Sequence, residues 1–233
     1  MLALRCYRRM PNIILQHFDG ELRELDLLSM TNIQNYAKDV GADYQLVKGM
    51  PFRDHLTAPC QKVFMIDEQY DDYDDVLMLD IDMFVPKNMN KNIFDEVGVG
   101  LYNPIQQNLH AKLVRQHSFQ GSMEAPYWGG AIYKMDRALR QKLRSGLGGN
   151  ENWMNAYNQP YQWEDEGIFH TLAFRTGVKI SDDQFLHPKW CYDNYLEYPQ
   201  YAGMIHVRTK ITPTGPKQEK IKNYRALVER GIL

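Results

Sequence analysis

Apolar residues along this chain gather into short runs, and the stretches between them carry helical spacing. After Pro11, NIILQHF is apolar enough for a first strand. ELRELDLLSMTNIQNYAKDVG repeats its apolar positions every three or four residues, which predicts an amphipathic helix stopping at Gly41. DYQLVKG predicts a second strand, so the chain opens β-α-β. Past a loop with Pro51 and Pro59, Gln61 to Tyr70 predicts another helix. VLMLDID, from Val76, then reads as a strand buried on both faces, as a parallel sheet requires. GVGLYNPI and GGAIYKM predict further strands, and DRALRQKLRSGLG a helix with Asp136 as N-cap. EDEGIFHTLAFRTG predicts a helix, and MIHVRTK a late strand. Alternating strands and helices of this kind imply an α/β sandwich with a mostly parallel central sheet flanked by helices.

Bulk properties narrow the picture without deciding it. The 233 residues suit one main domain over 1–212, with 213–233 a charged helix or a linker to a further domain of a larger chain. A net charge of −2 with scattered basic residues leaves no footprint for nucleic acid. No run approaches a transmembrane segment, and Arg5, Arg8 and Arg9 interrupt the N-terminal apolar residues, arguing against a signal peptide. Cys6, Cys60 and Cys191 are odd in number and lack metal-type spacing. They read as reduced thiols, and the expected compartment is cytoplasmic.

The chemistry begins where the most apolar strand ends. Asp80 follows Leu79 directly, and Asp82 comes after Ile81. Ligands of open α/β sheets bind beyond the carboxyl ends of strands, and residues i and i+2 of an extended chain share a side. Two hard oxygen donors without a neighbouring cysteine favour Mg²⁺ or Mn²⁺. A turn that uses aspartate as a local cap is the plainer alternative. Tyr127-Trp128-Gly129-Gly130 offers an aromatic platform beside two residues without bulk, where a substrate can approach the backbone, and Trp190 is a second candidate wall for a sugar. Both also read as ordinary core packing.

In its order of elements the chain resembles the GT-A glycosyltransferases over roughly residues 12 to 210. SMTNIQNYAKDVGADYQLVKG, PCQKVFMIDEQYDDYDDVLMLDIDMFVP, YWGGAIYKMDRAL and MIHVRTK carry the resemblance, with the D-x-D block its most specific part. It implies a divalent ion, Mn²⁺ or Mg²⁺, held by Asp80, Asp82 and the late-strand His206. It also implies a nucleotide-sugar donor, with uridine diphosphate the commonest carrier, and a glycan or other hydroxyl acceptor. Arg53, Lys62 and Lys210 are then candidates for the donor's phosphate or sugar, and Arg208 for the leaving diphosphate. Trp163-Glu164-Asp165 is similar to the acidic pair at a helix start that supplies the base in inverting members, making Asp165 the candidate base with Glu164 beside it. Inversion with Asp165 as base is therefore the expected course; a retaining course, in which the diphosphate assists the acceptor hydroxyl and no such base is needed, is the alternative. Two other classes use related features: a nucleotide-sugar or glycan-binding module without turnover, and the haloacid dehalogenase-like phosphatases, whose D-x-D strand lies near the start of the core domain.

Overall fold

A computed structural model describes residues 11–102, 128–148, 164–193, 197, 199–210 and 215–233. Tyr127, Trp163 and the boundary proposed at 212/213 lie outside the described residues, as does the side chain of Glu164. The central sheet has the order β2-β1-β3-β7. β1 (Ile13–Phe18) pairs in parallel with β2 (Asp43–Lys48) and with β3 (Asp75–Leu79), and β7 (Ile132–Asp136) closes the edge antiparallel to β3. Between β1 and β2 runs α1 (Glu24–Asp39), and Gly41 follows it at φ +68°, a left-handed position that costs glycine little.

β3 explains why the sequence reads as it does. Val76, Leu77, Met78 and Leu79 are each at most 1% exposed. Val76 and Met78 face one apolar layer with Ile13, Leu15 and Tyr133, while Leu77 and Leu79 face another with Ile14, Ile33 and Ile132. A strand covered on both sides cannot alternate, so its sequence is continuously apolar.

Smaller sheets extend this frame. β4 (Met83–Phe84) pairs antiparallel with β9 (Ile205–His206), matching Met83 to His206. β5 (Gly100–Tyr102) lies between β6 (Trp128–Gly129) and β8 (Phe185–Leu186). Next in sequence after β7, among the described residues, come α2 (Arg137–Arg144) and α3 (Glu164–Thr176). The Asp136 side chain accepts from Leu139 N at 2.7 Å and caps α2, as its sequence predicts.

One element differs from its sequence pattern. The helix expected over Gln61 to Tyr70 is a pair of 3-10 stretches, Ala58–Ile66 and Glu68–Tyr70. In the first, Cys60, Gln61, Lys62, Val63, Met65 and Ile66 are all buried, so tertiary contacts on nearly every side override helix propensity. The C-terminal segment forms α4 (Lys220–Glu229), and it is docked. Leu227 and Leu233 are buried with Leu25, Phe84, Ile205 and Val207, and Asn223 Nδ2 donates to Arg208 O at 2.7 Å. No helix among the described residues is long and apolar enough to cross a membrane.

The acidic turn before β3 is tied down by α2. Arg144 pairs with Asp71 at 2.6 Å, and the fully buried Arg140 donates to the carbonyls of Tyr70, Tyr73, Asp74 and Met135 at 2.7–3.2 Å. One buried guanidinium thus ties four carbonyls of the turn and β7 together, and removing it would take four charge-assisted bonds at once. Arg140→Ala is therefore expected to destabilise the fold by about 3 kcal/mol or more, read as a lower denaturant midpoint; a loss near zero would refute the anchor.

Candidate functional site

The Asp80–Asp82 pair occupies a turn rather than an extended strand. Met83 N donates to Asp80 O at 3.3 Å, and Val207 N donates to Asp82 O at 3.0 Å, so the two carboxylates converge by chain reversal. A buried polar relay supports that reversal. Gln16 Nε2 donates to Ser29 Oγ at 3.0 Å and to Asp80 O at 3.2 Å, and Ser29 Oγ donates to Met83 O at 2.7 Å. Tyr44 Oη in turn donates to Gln16 Oε1 at 3.0 Å. Side chains from β1, α1 and β2 thus fix the corner that carries the acids.

His206 joins them through the β4–β9 pairing. Its Nε2 lies 3.1 Å from Asp82 Oδ1 and 3.7 Å from Asp80 Oδ2. One donor atom from each of Asp80, Asp82 and His206 falls within 4.8 Å of the others. Two carboxylates and an imidazole form an oxygen-rich set that suits Mn²⁺, and suits Mg²⁺ less because of the nitrogen. A cation already uses the place: Lys220, at the start of α4, sets its Nζ on Asp82 Oδ2. Burial would raise the Asp82 pKa, but His206 and Lys220 hold it well below the ordinary carboxylate value. Burial would lower the His206 pKa, whereas Asp82 pulls it well above the ordinary value. Arg208 Nε donates to His206 Nδ1 at 3.1 Å, which requires a lone pair there. A proton taken up at Nδ1, which the raised pKa favours, would displace Arg208 from that contact, while the hydrogen on Nε2 points at Asp82 in either form.

Lys62 binds the acidic corner from the other side. Its ammonium is 2.9 Å from Asp80 Oδ1 and 2.9 Å from Asp165 Oδ2, and it donates to Gly130 O. An ammonium has three hydrogens, and all three are committed. Burial would strip the charge from Lys62, but Asp165 and Asp80 hold its pKa above the ordinary lysine value. Lys62, a sequence candidate for donor phosphate, therefore positions Asp80.

Asp165 sits in the first turn of α3, 1% exposed, and also accepts from Tyr133 Oη at 3.2 Å. Burial raises its pKa while Lys62 opposes the rise. Glu166 Oε1 accepts from Gly130 N, and a Cβ on Gly130 would come within 2.9 Å of Asp165 Oδ2 and 2.8 Å of Glu166 Oε1. Gly130 is thus required for the approach of α3's acids.

The aromatic candidates lie deeper than their sequence pattern suggests. Trp128 and Trp190 are both 0% exposed and belong to the two core layers, so their ring faces meet protein. Gly129 is buried in β6, paired with Leu101. Arg53 lies over the Phe52 ring at 5.7 Å and contacts neither Asp80 nor Asp82 among the described residues. Lys210 is exposed, four residues beyond His206.

The sequence reading missed Lys220, and one signal pointed to it. A lysine in the first turn of a helix opposes the helix dipole and needs a reason to be there.

Removing the Lys62 ammonium would leave Asp165 buried beside Asp80 with no cation. Lys62→Met is expected to cost about 3–5 kcal/mol in denaturant unfolding. Adding Asp165→Leu should recover much of that loss, a coupling that equal and additive losses would disprove.

No protein-family profile matches the chain, and no curated protein matches it in sequence. Among solved structures, a glycosyltransferase involved in glycosylation of the major capsid of PBCV-1 superposes with a TM-score of 0.54 at 14% identity, covering 86% of this chain and 95% of that one. The galactosyltransferase LgtC, in complex with donor and acceptor sugar analogues, gives 0.49 at 12% identity over 93% and 95% of the two chains. With a mostly parallel sheet whose inner strand ends in an acidic pair, and a glycosyltransferase structure superposing over most of its length, this chain has the GT-A fold.

Proposed function

We propose that the protein transfers a sugar from a nucleotide-diphosphate donor to a hydroxyl of a glycan or related acceptor. The observation that carries this reading is the meeting of Asp80, Asp82 and His206 at the end of β3, in a GT-A fold. Asp80, Asp82 and His206 Nε2 would hold the divalent ion, Mn²⁺ in preference to Mg²⁺. When bound, that ion supplies positive charge against the leaving diphosphate. Uridine diphosphate is the proposed carrier.

The chain's own groups have separable tasks. Lys62 fixes the direction of Asp80, and the Gln16–Ser29 relay fixes the turn between the acids. Lys220 is 40% exposed at its side chain and can leave Asp82 for a phosphate oxygen, adding a second positive charge as the sugar–oxygen bond breaks. Arg53, Arg208 and Lys210 are proposed as further contacts for donor phosphate or sugar.

Two courses remain for the proton of the acceptor. In the inverting course, Asp165 accepts it, with Glu164 adjacent, and Lys62 must then release the carboxylate. In the retaining course, the leaving diphosphate accepts it and Asp165 serves only to hold Lys62. The burial of Asp165 and its bond to Lys62 favour the retaining course.

The test is a panel of nucleotide sugars with Mn²⁺, following free nucleotide and product. Metal-dependent loss of one donor is expected. Asp82→Asn and His206→Ala should each reduce it by about a hundredfold or more, and Lys220→Met by about tenfold. Phosphate release from simple phosphomonoesters, or binding of a donor without turnover when acceptors are supplied, would defeat the proposal. The anomeric configuration of the product separates the two courses, and an inverted product lost in Asp165→Asn would assign the base to Asp165.

A further inference from the structure

His206 has a second edge, and its surroundings there differ chemically from those of Nε2. The imidazole Nδ1 faces Cys191 Sγ at 3.6 Å. Backbone pairing holds the segment beside it: Tyr192 bridges Ile205, Tyr192 N donates to Met204 O at 3.0 Å, and His206 N donates to Tyr192 O at 3.4 Å. In a chain extended along β9, residues 191 and 193 fall on the same side. One donor atom from each of Cys191, Asp193 and His206 lies within 4.8 Å of the others. Asp193 Oδ1 is buried without a hydrogen-bond partner among the described residues, although Oδ2 of the same carboxylate pairs with Arg208 at 3.2 Å. A sealed carboxylate oxygen with no donor is a costly feature that a cation would satisfy.

We propose that Cys191, Asp193 and His206 Nδ1 form a second cation site, selective for thiophilic divalent ions such as Zn²⁺ or Cd²⁺, and exclusive of the hard-metal site on Nε2. A thiolate, an imidazole nitrogen and a carboxylate are a zinc-type donor set, with a solvent molecule as fourth ligand. The donors must close by about an ångström to reach bond lengths of about 2.0–2.3 Å. On binding, the Cys191 thiol gives its proton to solvent. Arg208, 47% exposed at its side chain, swings away from Nδ1 and Asp193.

Exclusivity follows from the tautomer. An ion on Nδ1 leaves the ring hydrogen on Nε2, where Asp82 Oδ1 waits at 3.1 Å. Metal-bound histidines commonly donate their other N–H to a carboxylate in this way. With Nε2 protonated, His206 cannot serve Asp80 and Asp82 as a metal ligand. An ion on Nε2 moves the hydrogen to Nδ1, which then donates towards Cys191. One imidazole thus reads two classes of metal, one at a time.

Cd²⁺ titration of the full chain tests the site through thiolate-to-metal absorption in the near ultraviolet. One Cd²⁺ per chain with this absorption is expected, lost in Cys191→Ser and weakened about tenfold or more in Asp193→Asn. Excess Mn²⁺ should weaken Cd²⁺ binding in the wild type and leave it unchanged in Asp80→Ala/Asp82→Ala. Absence of the band, or its survival in Cys191→Ser, overturns the site. Simultaneous binding of Mn²⁺ and Cd²⁺ overturns the exclusivity. A Cys191-dependent band in a protein that binds no Mn²⁺ would support the site while refuting the hard-metal reading above.

Discussion

The acidic corner depends on one buried ammonium. Lys62 reaches from a 3-10 segment to the end of β3, the turn between β6 and β7, and the first turn of α3. Without it, two carboxylates would share a low-dielectric space and repel each other, and one would have to protonate. With it, Asp165 is neutralised inside the protein and Asp80 keeps one oxygen turned towards His206 and Asp82. Glycine at position 130 completes the arrangement, because any side chain there would occupy the space of Asp165 and Glu166.

From that fixed corner outward, charges are arranged around the His206 ring. Asp80 and Asp82 stand on its Nε2 side, with Lys220 on Asp82; Cys191 and Asp193 stand on its Nδ1 side, with Arg208 across Asp193. Each group of donors therefore carries a side-chain cation of its own. Lys220 arrives from α4, whose apolar residues pack on α1, β4 and β9, so the C-terminal helix is part of the site's electrostatics and not an appendage.

Much of this was legible in the sequence wherever the signal was local. The continuous apolar run Val76–Leu79, the Asp136 cap, the Gly41 stop and the acids at a strand's end each state a backbone requirement within a few residues. His206 is legible through the resemblance of MIHVRTK to a late GT-A strand, and the β4–β9 pairing places it beside the acids. The pairings between distant residues had no local signature. Lys62 lies 103 positions from its partner Asp165, and Lys220 lies 138 from Asp82, so no pattern of neighbours links them. Trp128 and Trp190 look the same in sequence whether they line a cleft or fill a core, and the sheet's two layers decide for the core. Cys191 and Asp193, spaced as the D-x-D acids are, acquire meaning only through backbone pairing with Ile205 and His206.

The central claim, that the corner after β3 is built for a divalent ion and a diphosphate, is most directly tested by anomalous diffraction at the manganese edge from crystals grown with Mn²⁺ and a nucleoside diphosphate. The account predicts one peak bonded to Asp80, Asp82 and His206 Nε2, bridged to the diphosphate, with Lys220 withdrawn from Asp82. A corner without a peak, with Lys220 still on Asp82 and the diphosphate bound elsewhere, would contradict it.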